Sequence, residues 1–592
     1  MNSNKVKEKS FKILFAFTAA LCIVAVIAIF AFLIIKSVPT FRRIGFFKFI
    51  FGKEWKPNVD DGFTGEIKGK YGVFKMIIGT IVATLGSVIV GGVLGFFTAV
   101  FISKFCPKKL KGAFVTVINL LAGIPSVIFG FFGMVVLLPK LGVFSETGSG
   151  SGLLAVSLVL GLMILPTVVS LSKTSIDAVP DSYYEGARAL GATHEQAVFR
   201  AVVPAAKSGI VASIILGIGR AVGETMAVIM VAGNVVEYPK GLFQSFRVLT
   251  ANIVMEMGYA GDLQLGALIS TGVVLLLFIL IINLLTGLAT SGGKKDKTHK
   301  KRSIEPLAKF FHAIKIEKIG KIVAYVSAVI ASIGLISIIL FVCVNGIPHL
   351  TTQLLFGKYS VRNISIFPAI VTTLMTVGIS LVIAVPIGVF TAIFLNEYSK
   401  KGSKVVRIIR SAIDILAGVP SIVYALFGMV TFVAWFNGRQ SILAGSLTIA
   451  IMLLPTVVRS TEESLKSVSD TLREGSLALG AGKVRTIFKV VLPGALPGIA
   501  SAIILAMGRV VSESAPFVYT MGNCLTTMPK GVMSDGTTLA VALYTLAGEG
   551  QYLNEAYATA FVLLVIVLAL NLLANLITKK LDKKLKGSKN GK

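Results

Sequence analysis

The sequence predicts an all-α integral membrane protein with about twelve transmembrane helices, arranged as two parallel six-helix repeats. Of the 592 residues, 55% are hydrophobic and only 15% are charged, which is far more apolar than the usage of a soluble chain. The apolar residues form solid runs of spanning length, without the alternation over about ten residues that a transmembrane β-strand requires. Long stretches of the chain also occur twice.

The first predicted span is the uncharged run 13–35. It exceeds the roughly 7 to 15 apolar residues of a signal peptide, so we expect it to be retained in the membrane. Eleven further apolar runs of spanning length complete the prediction. They are 73–103, 113–138, 152–172, 210–233 and 264–290, followed by 322–344, 367–395, 411–435, 441–458, 498–521 and 555–578.

The formal net charge of +30 is placed in a way that favours a membrane topology signal over a nucleic-acid partner. Lysines cluster at the N-terminus, at 103–111, at 292–302 and at 579–589. Since basic loops stay on the inner side of the membrane, both termini and the central linker are predicted to be cytoplasmic. The basic loop at 37–70 is an exception to this pattern.

The repeat is clearest between 164–192 and 453–481, where 14 of 29 positions are identical at an offset of 289. It predicts a first repeat at 1–290, a basic cytoplasmic linker at 291–320 and a second repeat at 321–592. An even number of spans in each repeat gives both copies the same orientation in the membrane. The chain is therefore expected to resemble two subunits joined together.

A short helix is predicted in the cytoplasmic loop before the fifth span of each repeat. Ser182 with Glu185, and Thr471 with Glu474, have the S/T-x-x-E spacing of a capping box. Six residues after each glutamate, a glycine is placed to end the helix, leaving roughly 8 residues or about 12 Å. These glycines are Gly191 and Gly480. Two equal helices on one side of the membrane suit two clefts of a dimeric partner.

The pattern E-x-x-x-x-x-G, with proline thirteen residues later, resembles the EAA loop of ABC importer permeases. This resemblance implies that Glu185, Gly191, Glu474 and Gly480 build coupling helices that dock on an ABC ATPase homodimer. The loop departs from the usual EAA sequence motif at Gly186, Gly475 and Ser476. The helix-ending glycines are retained.

The stretches "EGARALGA", "AGIPS" and "GRAVGET" resemble the permeases of the bacterial phosphate-specific ABC transporter, here with two permeases fused. The resemblance runs from about residue 10 to 580. It implies a type I ABC importer permease fold, phosphate as substrate, an extracytoplasmic phosphate-binding protein as partner, and a place in the bacterial inner membrane.

No nucleotide or metal site is predicted in the chain itself. The stretch "GAGKVRT" lacks the G-x-x-x-x-G-K-[ST] spacing of a phosphate-binding loop, so ATP is expected to be used by partner subunits. The four cysteines form no CxxC pair and the four histidines are scattered. We therefore expect no bound cofactor, no metal and no enzymatic activity.

Four charged residues fall inside the fifth spans: Arg220 with Glu224, and Arg509 with Glu513. At a spacing of four they are predicted to share one helical face. A charge near the bilayer centre costs about 2.5–3.5 kcal/mol on insertion scales, which implies burial against a partner or a pathway. One interpretation is an ion pair that holds helices together; the other is an anion pathway in which the guanidinium compensates phosphate charge.

The elements "GIPS" and "GVPS" are predicted to interrupt the third span of each repeat. Proline fits the first turn of a new half-helix, whose free amides attract anions, and Ser126 and Ser421 follow with a hydroxyl. A simple packing kink is the alternative interpretation.

The sequence thus favours the transmembrane permease of an ATP-driven phosphate importer. Three alternatives stay open: the same architecture for sulfate or molybdate, a secondary transporter or channel with the Arg–Glu pairs as proton relay, and, more remotely, a membrane enzyme.

Overall fold

The computed structural model describes residues 2–57, 69–146, 148–291, 316–360, 363–399, 403–525 and 528–587. In these ranges nine helices are long and apolar enough to cross a membrane, or eleven if each of two bent helix pairs is one span. The nine are Val6–Ile44, Phe74–Phe105, Leu153–Asp177, Asp262–Ile282, Glu317–His349, Phe367–Tyr398, Ile442–Lys466, Lys483–Ser512 and Leu553–Thr578. The all-α membrane fold is confirmed.

The predicted run 113–138 accounts for the difference from twelve. It is divided between the helix Lys108–Ala122 and the apolar stretch Ser126–Gly142, which is too short to be a span by itself. The break falls at "GIP", because a residue before proline is driven out of the helical region. The bent pairs are Val406–Gly418 with Ser421–Val433, at 98°, and His194–Ala205 with Lys207–Gly223, at 69°.

The described chain divides into two compact units. The larger unit combines Met1–Arg43, Glu256–Val273 and Asn345–Lys592. The smaller unit combines Ile44–Met255 and Val274–Val344. Each unit therefore contains most of one repeat together with the first helix of the other repeat.

In the larger unit, Ile442–Lys466 packs against Phe367–Ile393 and Leu492–Ser512, and the last helix covers Leu492–Ser512. Phe15, Tyr424 and Phe517 are among its largest fully buried side chains. Its helices, including single π-helical turns, are Asn2–Ile44, Met257–Tyr259, Ile347–His349, Thr352–Phe356, Phe367–Ile393, Phe394–Tyr398, Lys404–Gly418, Ser421–Gly428, Met429–Val433, Ile442–Lys466, Asp470–Ala478, Lys483–Thr486, Ile487–Val491, Leu492–Ser512, Ala515–Thr520, Leu539–Glu549 and Leu553–Gly587.

In the smaller unit, Leu153–Asp177 packs against Phe74–Ser87 and Lys207–Gly223. A Cβ on Gly91 would lie 2.2 Å from the Gly161 carbonyl oxygen, so small residues set the close approach of two helices here. The strands Trp55–Lys56 and Lys70–Tyr71 pair antiparallel. Its helices are Phe46–Phe51, Phe74–Ser87, Val88–Gly92, Val93–Val100, Phe101–Phe105, Lys108–Ala122, Ser126–Phe132, Gly133–Leu137, Leu138–Gly142, Leu153–Asp177, Asp181–Ala189, His194–Gln196, Ala197–Val202, Val203–Ala205, Lys207–Gly223 and Met226–Val231.

Four helices cross a unit boundary in sequence, which are Asn2–Ile44 by its last residue, Leu249–Glu256, Asp262–Ser291 and Ile316–Gly346. Spatial contact and sequence repetition divide the chain differently, so the repeat boundaries 1–290 and 321–592 stay predictions. Most of the predicted linker 291–320 falls at 292–315, outside the described residues.

Candidate functional site

The paired arginines lie in the last turns of matching helices, Lys207–Gly223 and Leu492–Ser512. Both helices end directly before the glutamate. Glu224 and Glu513 have extended backbone, with ψ of 136° and 143°. Each glutamate therefore stands at a helix end and not inside a continuous helix, although the Glu513 N–H still donates to the Arg509 carbonyl at 3.1 Å, as in a last helical turn.

A second short helix follows each break and explains it. In the larger unit Pro516 stands at the start of Ala515–Thr520, where its fixed backbone suits a first turn but not continuation of the preceding helix. In the smaller unit the break at Glu224 is stabilised by contacts. The backbone N–H of Ala227 donates to the Glu224 carboxylate at 3.4 Å, and Thr250 donates its hydroxyl to the Glu224 carbonyl at 2.9 Å.

Both guanidinium groups are held by a threonine that the sequence reading missed. Arg220 Nη1 donates to Thr167 Oγ1 at 3.0 Å, and Arg509 Nη1 donates to Thr456 Oγ1 at 3.1 Å. The two threonines are 289 residues apart, like the arginines, and each follows a proline inside a buried helix. The repeated "LPTVV" was the available signal. The shared arrangement gives each repeat one oriented, permanently charged fork.

The carboxylates differ between the repeats. Glu513 Oε1 lies 3.7 Å from Arg509 Nε, an ion pair near the outer limit of contact, with the two side chains 20% and 34% exposed. The described contacts of the Glu224 carboxylate are to backbone instead. The structure thus brings Arg509 and Glu513 together.

The interruption of both third spans at the proline elements is confirmed. Pro125 and Pro420 have extended backbone and stand one residue before the helices that begin at Ser126 and Ser421. Both prolines therefore lie at the N-cap, and the prediction that they occupy the first turn of the new helix is wrong. Neither N-cap makes a side-chain hydrogen bond, and the anion-binding role of the two serines stays a prediction.

Tyr424 fastens the bent pair in the larger unit. Its side chain is fully buried in the helix after the break, and its hydroxyl donates at 2.7 Å to the carbonyl of Leu416 in the helix before it. The corresponding residue of the first repeat is Phe129, which has no hydroxyl. The two breaks are therefore stabilised differently.

We expect Tyr424→Phe to lower the free energy of unfolding by about 1 kcal/mol, the usual worth of one buried hydrogen bond. The shape of the ring is retained, so no cavity forms. Thermal unfolding of the purified protein checks this. Phe129→Leu is the comparison variant, because it removes ring volume at the matching position of the first repeat and removes no hydrogen bond. An unchanged unfolding midpoint in Tyr424→Phe would contradict the prediction.

The two predicted loop helices are present as Asp181–Ala189 and Asp470–Ala478, nine residues each. The predicted capping boxes are wrong, because both helices begin one residue before Ser182 and Thr471. The N-caps are Pro180, without a side-chain bond, and Ser469, whose hydroxyl accepts from the Thr471 N–H at 3.3 Å. Glu185 and Glu474 are instead exposed on the middle of their helices.

A real capping box lies just beyond the first loop helix. Thr193 accepts from the N–H of Gln196 at 3.3 Å, and the Gln196 side chain accepts from the Thr193 N–H at 2.9 Å. The T-x-x-Q spacing was readable in the sequence. It starts the next helical segment.

The glycine ends of both loop helices are confirmed. Gly191 and Gly480 have φ of +85° and +80°. The N–H of each following alanine reaches back to a carbonyl five residues earlier, at 3.1 and 3.2 Å, and each glycine N–H reaches back three residues, at 3.0 Å in both. This is the Schellman arrangement, which requires the left-handed conformation that glycine adopts without strain.

The residue before each glycine is an exposed leucine. Leu190 and Leu479 are 91% and 90% exposed, so both loop helices end in an uncovered apolar side chain at the same position. A single exposed leucine needs no explanation, but a matched pair at the tips of two matched helices indicates a contact surface. The sequence reading did not single these residues out.

Both loop helices and both arginines lie in parts of the chain that match a known protein family. The family model for the inner membrane component of binding-protein-dependent transport systems matches residues 91–291 and again 384–587. The chain belongs to this family. Both matches include a loop helix and a paired arginine, and the double match confirms the predicted internal repeat.

Relatives differ in how much of the chain they cover. A phosphate transport system permease PstA homolog of Mycoplasma pneumoniae is 29% identical over 85% of this chain and 84% of its own. The PstC permease of Pasteurella multocida is 31% identical over 43% of this chain and 85% of its own. The PstA 1 permease of Mycobacterium tuberculosis is 43% identical over 26% of this chain and 51% of its own.

Membership in this family identifies a multi-pass inner membrane protein with the type I ABC permease fold. It is a transport component and is not itself an enzyme.

Proposed function

We propose that this chain is the translocation pathway of an ATP-driven importer of inorganic phosphate, in which one polypeptide takes the place of separate PstC and PstA permeases. The observation that carries the proposal is the matched pair of threonine-held guanidinium groups at the broken fifth spans. The names of the relatives give the substrate: those named PstC align with just under half of the chain, and the PstA homolog aligns with most of it.

The arginines carry the anion chemistry. A guanidinium stays protonated at any working pH and offers two parallel N–H donors to an oxyanion. Each threonine hydroxyl orients its arginine without neutralising the positive charge. The guanidinium therefore remains cationic when the pathway holds no phosphate. Glu513, at 3.7 Å, is close enough to attract Arg509 without a short hydrogen bond. Phosphate arriving at Arg509 therefore competes with a loosely held carboxylate.

Energy is supplied by partner subunits in this proposal. The chain binds no nucleotide; a separate ATPase homodimer docks on the two loop helices from the cytoplasm, and an extracytoplasmic phosphate-binding protein delivers the substrate. Both termini are cytoplasmic. The equal length, equal glycine ends and equal exposed leucines of the loop helices support docking on a symmetric partner.

The direct test is phosphate uptake into vesicles that contain this chain, its ATPase and its binding protein. We expect uptake that requires ATP and is insensitive to collapse of the proton gradient. Competition by sulfate or molybdate at equal concentration tests the substrate. Strong competition would favour another oxyanion, and uptake without the ATPase would favour a secondary transporter.

We expect Leu190→Ser and Leu479→Ser to weaken ATPase binding about 10- to 100-fold each, because burying one leucine is worth about 1.5–3 kcal/mol. Neither change should affect folding, since both side chains are uncovered in the chain alone. The measurement is the affinity of the purified chain for the ATPase. Val143→Ser, at a position 81% exposed outside the loop helices, is the control. Equal affinity for all variants would remove the leucines from the docking surface.

A further inference from the structure

The segment after each loop helix contacts a helix that begins the other repeat. In the smaller unit, Lys321 Nζ lies 2.9 Å from Glu195 Oε1, and Arg200 forms an ion pair with Glu317. Glu317 and Lys321 are one turn apart at the start of the second repeat's first helix. We call these four residues the first brace.

The first brace also has an apolar contact that leaves little clearance. A Cβ on Gly320 would lie 2.9 Å from the ring of Phe199, so backbone and ring touch directly between the two ion pairs. Phe199 stacks on Phe105 with ring centroids 6.1 Å apart. Tyr325 donates its hydroxyl to the Phe105 carbonyl at 3.3 Å. One face of the helix Ile316–Gly346 is thereby fixed against this segment.

A histidine connects the first loop helix itself to this cluster. His194 Nε2 lies 3.1 Å from the Lys104 carbonyl oxygen, and Nδ1 lies 2.7 Å from the Tyr184 hydroxyl. Because a carbonyl only accepts, Nε2 carries the proton, and in the neutral ring Nδ1 accepts from Tyr184. The loop helix is thus linked to the end of the second span through one imidazole.

The larger unit repeats this scheme with different chemistry. The carboxylate of Glu8, in the first helix of the chain, accepts from the Lys483 N–H at 2.8 Å, and Phe11 contacts Phe488 with ring centroids 5.4 Å apart. We call Glu8, Phe11, Lys483 and Phe488 the second brace. A Cβ on Gly482 would lie 2.8 Å from the Glu8 carboxylate, so this contact is also close.

The link from the second loop helix to the second span is ionic. Arg473 Nε lies 3.1 Å from Glu397 Oε1, with both side chains largely buried. Lys483 Nζ lies 4.9 Å above the ring of Tyr398. Arg473 and Lys483 stand 289 residues after Tyr184 and His194. Matching positions therefore make matching connections although none of these side chains is the same in the two repeats.

We propose that the two braces are positioning elements that set how efficiently motion of each loop helix is transmitted to the transmembrane helices of both repeats. This rests on the proposed function of the loop helices. Each brace joins the segment directly after a loop helix to the first helix of the other repeat, so a tilt of that loop helix acts on both halves of the sequence. Ion pairs with one exposed partner contribute too little to decide folding but enough to bias orientation.

The test is charge reversal in the first brace. Glu195→Lys and Lys321→Glu each place like charges together and should lower the phosphate transported per ATP hydrolysed roughly 1.5- to 5-fold. The double variant restores opposite charges and should restore the ratio. Recovery of the ratio in the double variant would show that the two side chains act through their interaction with each other. Independent losses at two sites would instead add. Single and double reversal of Glu54 and Lys70, an ion pair of the same 2.9 Å length in the β-hairpin, is the control and should leave the ratio unchanged.

For the second brace, Glu8→Ala should lower the same ratio, whereas Lys9→Ala, next to it and exposed, should not. A ratio unchanged in all brace variants would overturn the proposal, as would a double reversal that does not recover. A third outcome would also overturn the proposal. If the variants gave less folded protein or bound less ATPase, while the assembled complexes kept the same phosphate transported per ATP, the braces would only stabilise the chain. Failure of the proposed function is separate, because it would appear as absent ATP-dependent uptake in the unaltered protein.

Discussion

Replacing Arg220 or Arg509 with glutamine should reduce ATP-dependent phosphate uptake about 10- to 100-fold. A hydrogen bond from a charged group contributes about 1.5–3 kcal/mol, and that energy corresponds to a change of this size. Glutamine keeps polar N–H donors, but it lacks the charge that offsets the lost hydration of phosphate. The measurement is uptake into vesicles, with membrane insertion and ATPase binding checked for each variant.

Two further variants separate charge from geometry. Lysine keeps the charge and loses the planar fork, so Arg220→Lys and Arg509→Lys should retain partial uptake. Thr167→Val and Thr456→Val keep the arginines and remove their described threonine contacts, so they should reduce uptake less than the glutamine variants. Near-normal uptake in both glutamine variants would show that the arginines only hold helices together.

The second large effect is expected at the glycine ends of the loop helices. Gly191→Val and Gly480→Val should uncouple ATP hydrolysis from uptake, because a β-branched residue at φ near +80° costs on the order of 1 kcal/mol or more and redirects the helix end. No atom lies within 4 Å of a Cβ built on either glycine, so the effect is one of backbone conformation and not of crowding. Phosphate-stimulated ATPase activity and uptake, measured together, check the prediction.

A graded series makes this prediction specific. Asparagine tolerates the left-handed conformation best among the other residues, so uncoupling should increase from Gly→Asn through Gly→Ala to Gly→Val. Gly550 is the matched control. It ends the helix Leu539–Glu549 at φ +68° with the same open space, and Gly550→Val should lower stability without changing the uptake per ATP. Equal uptake per ATP in all six variants, three at Gly191 and three at Gly480, would refute the coupling role.

Much of the fold and of the site was readable because it is encoded locally and twice. The apolar runs predicted the spans, the "GIPS" and "GVPS" prolines predicted two helix breaks, and Gly191 and Gly480 predicted two helix ends. Each of these depends on one short stretch, and the second copy distinguished it from chance.

Features that depend on distant residues were not readable. The end of the fifth span at Glu224 has no proline to announce it, and it is stabilised by Thr250, 26 residues away. Thr167 lies 53 positions before its partner Arg220, so only the folded chain shows that the two side chains meet. The capping boxes failed for a different reason, because Pro180 and Ser469 begin their helices earlier and leave Glu185 and Glu474 as surface residues.

The exchange of first helices sets an order for biosynthesis. The helix Asn2–Ile44 belongs to a unit otherwise built mainly from Asn345–Lys592, so roughly 300 residues must be added before most of its partners exist. At 5–20 residues per second this takes about 15–60 s. During that time the helix lies in the bilayer without most of its packing partners. It is stable there because it is apolar and its backbone is internally hydrogen-bonded. Joining both repeats in one polypeptide keeps that early helix tethered to the partner that is still being made, at an effective concentration that two separate chains would reach only by diffusion in the membrane.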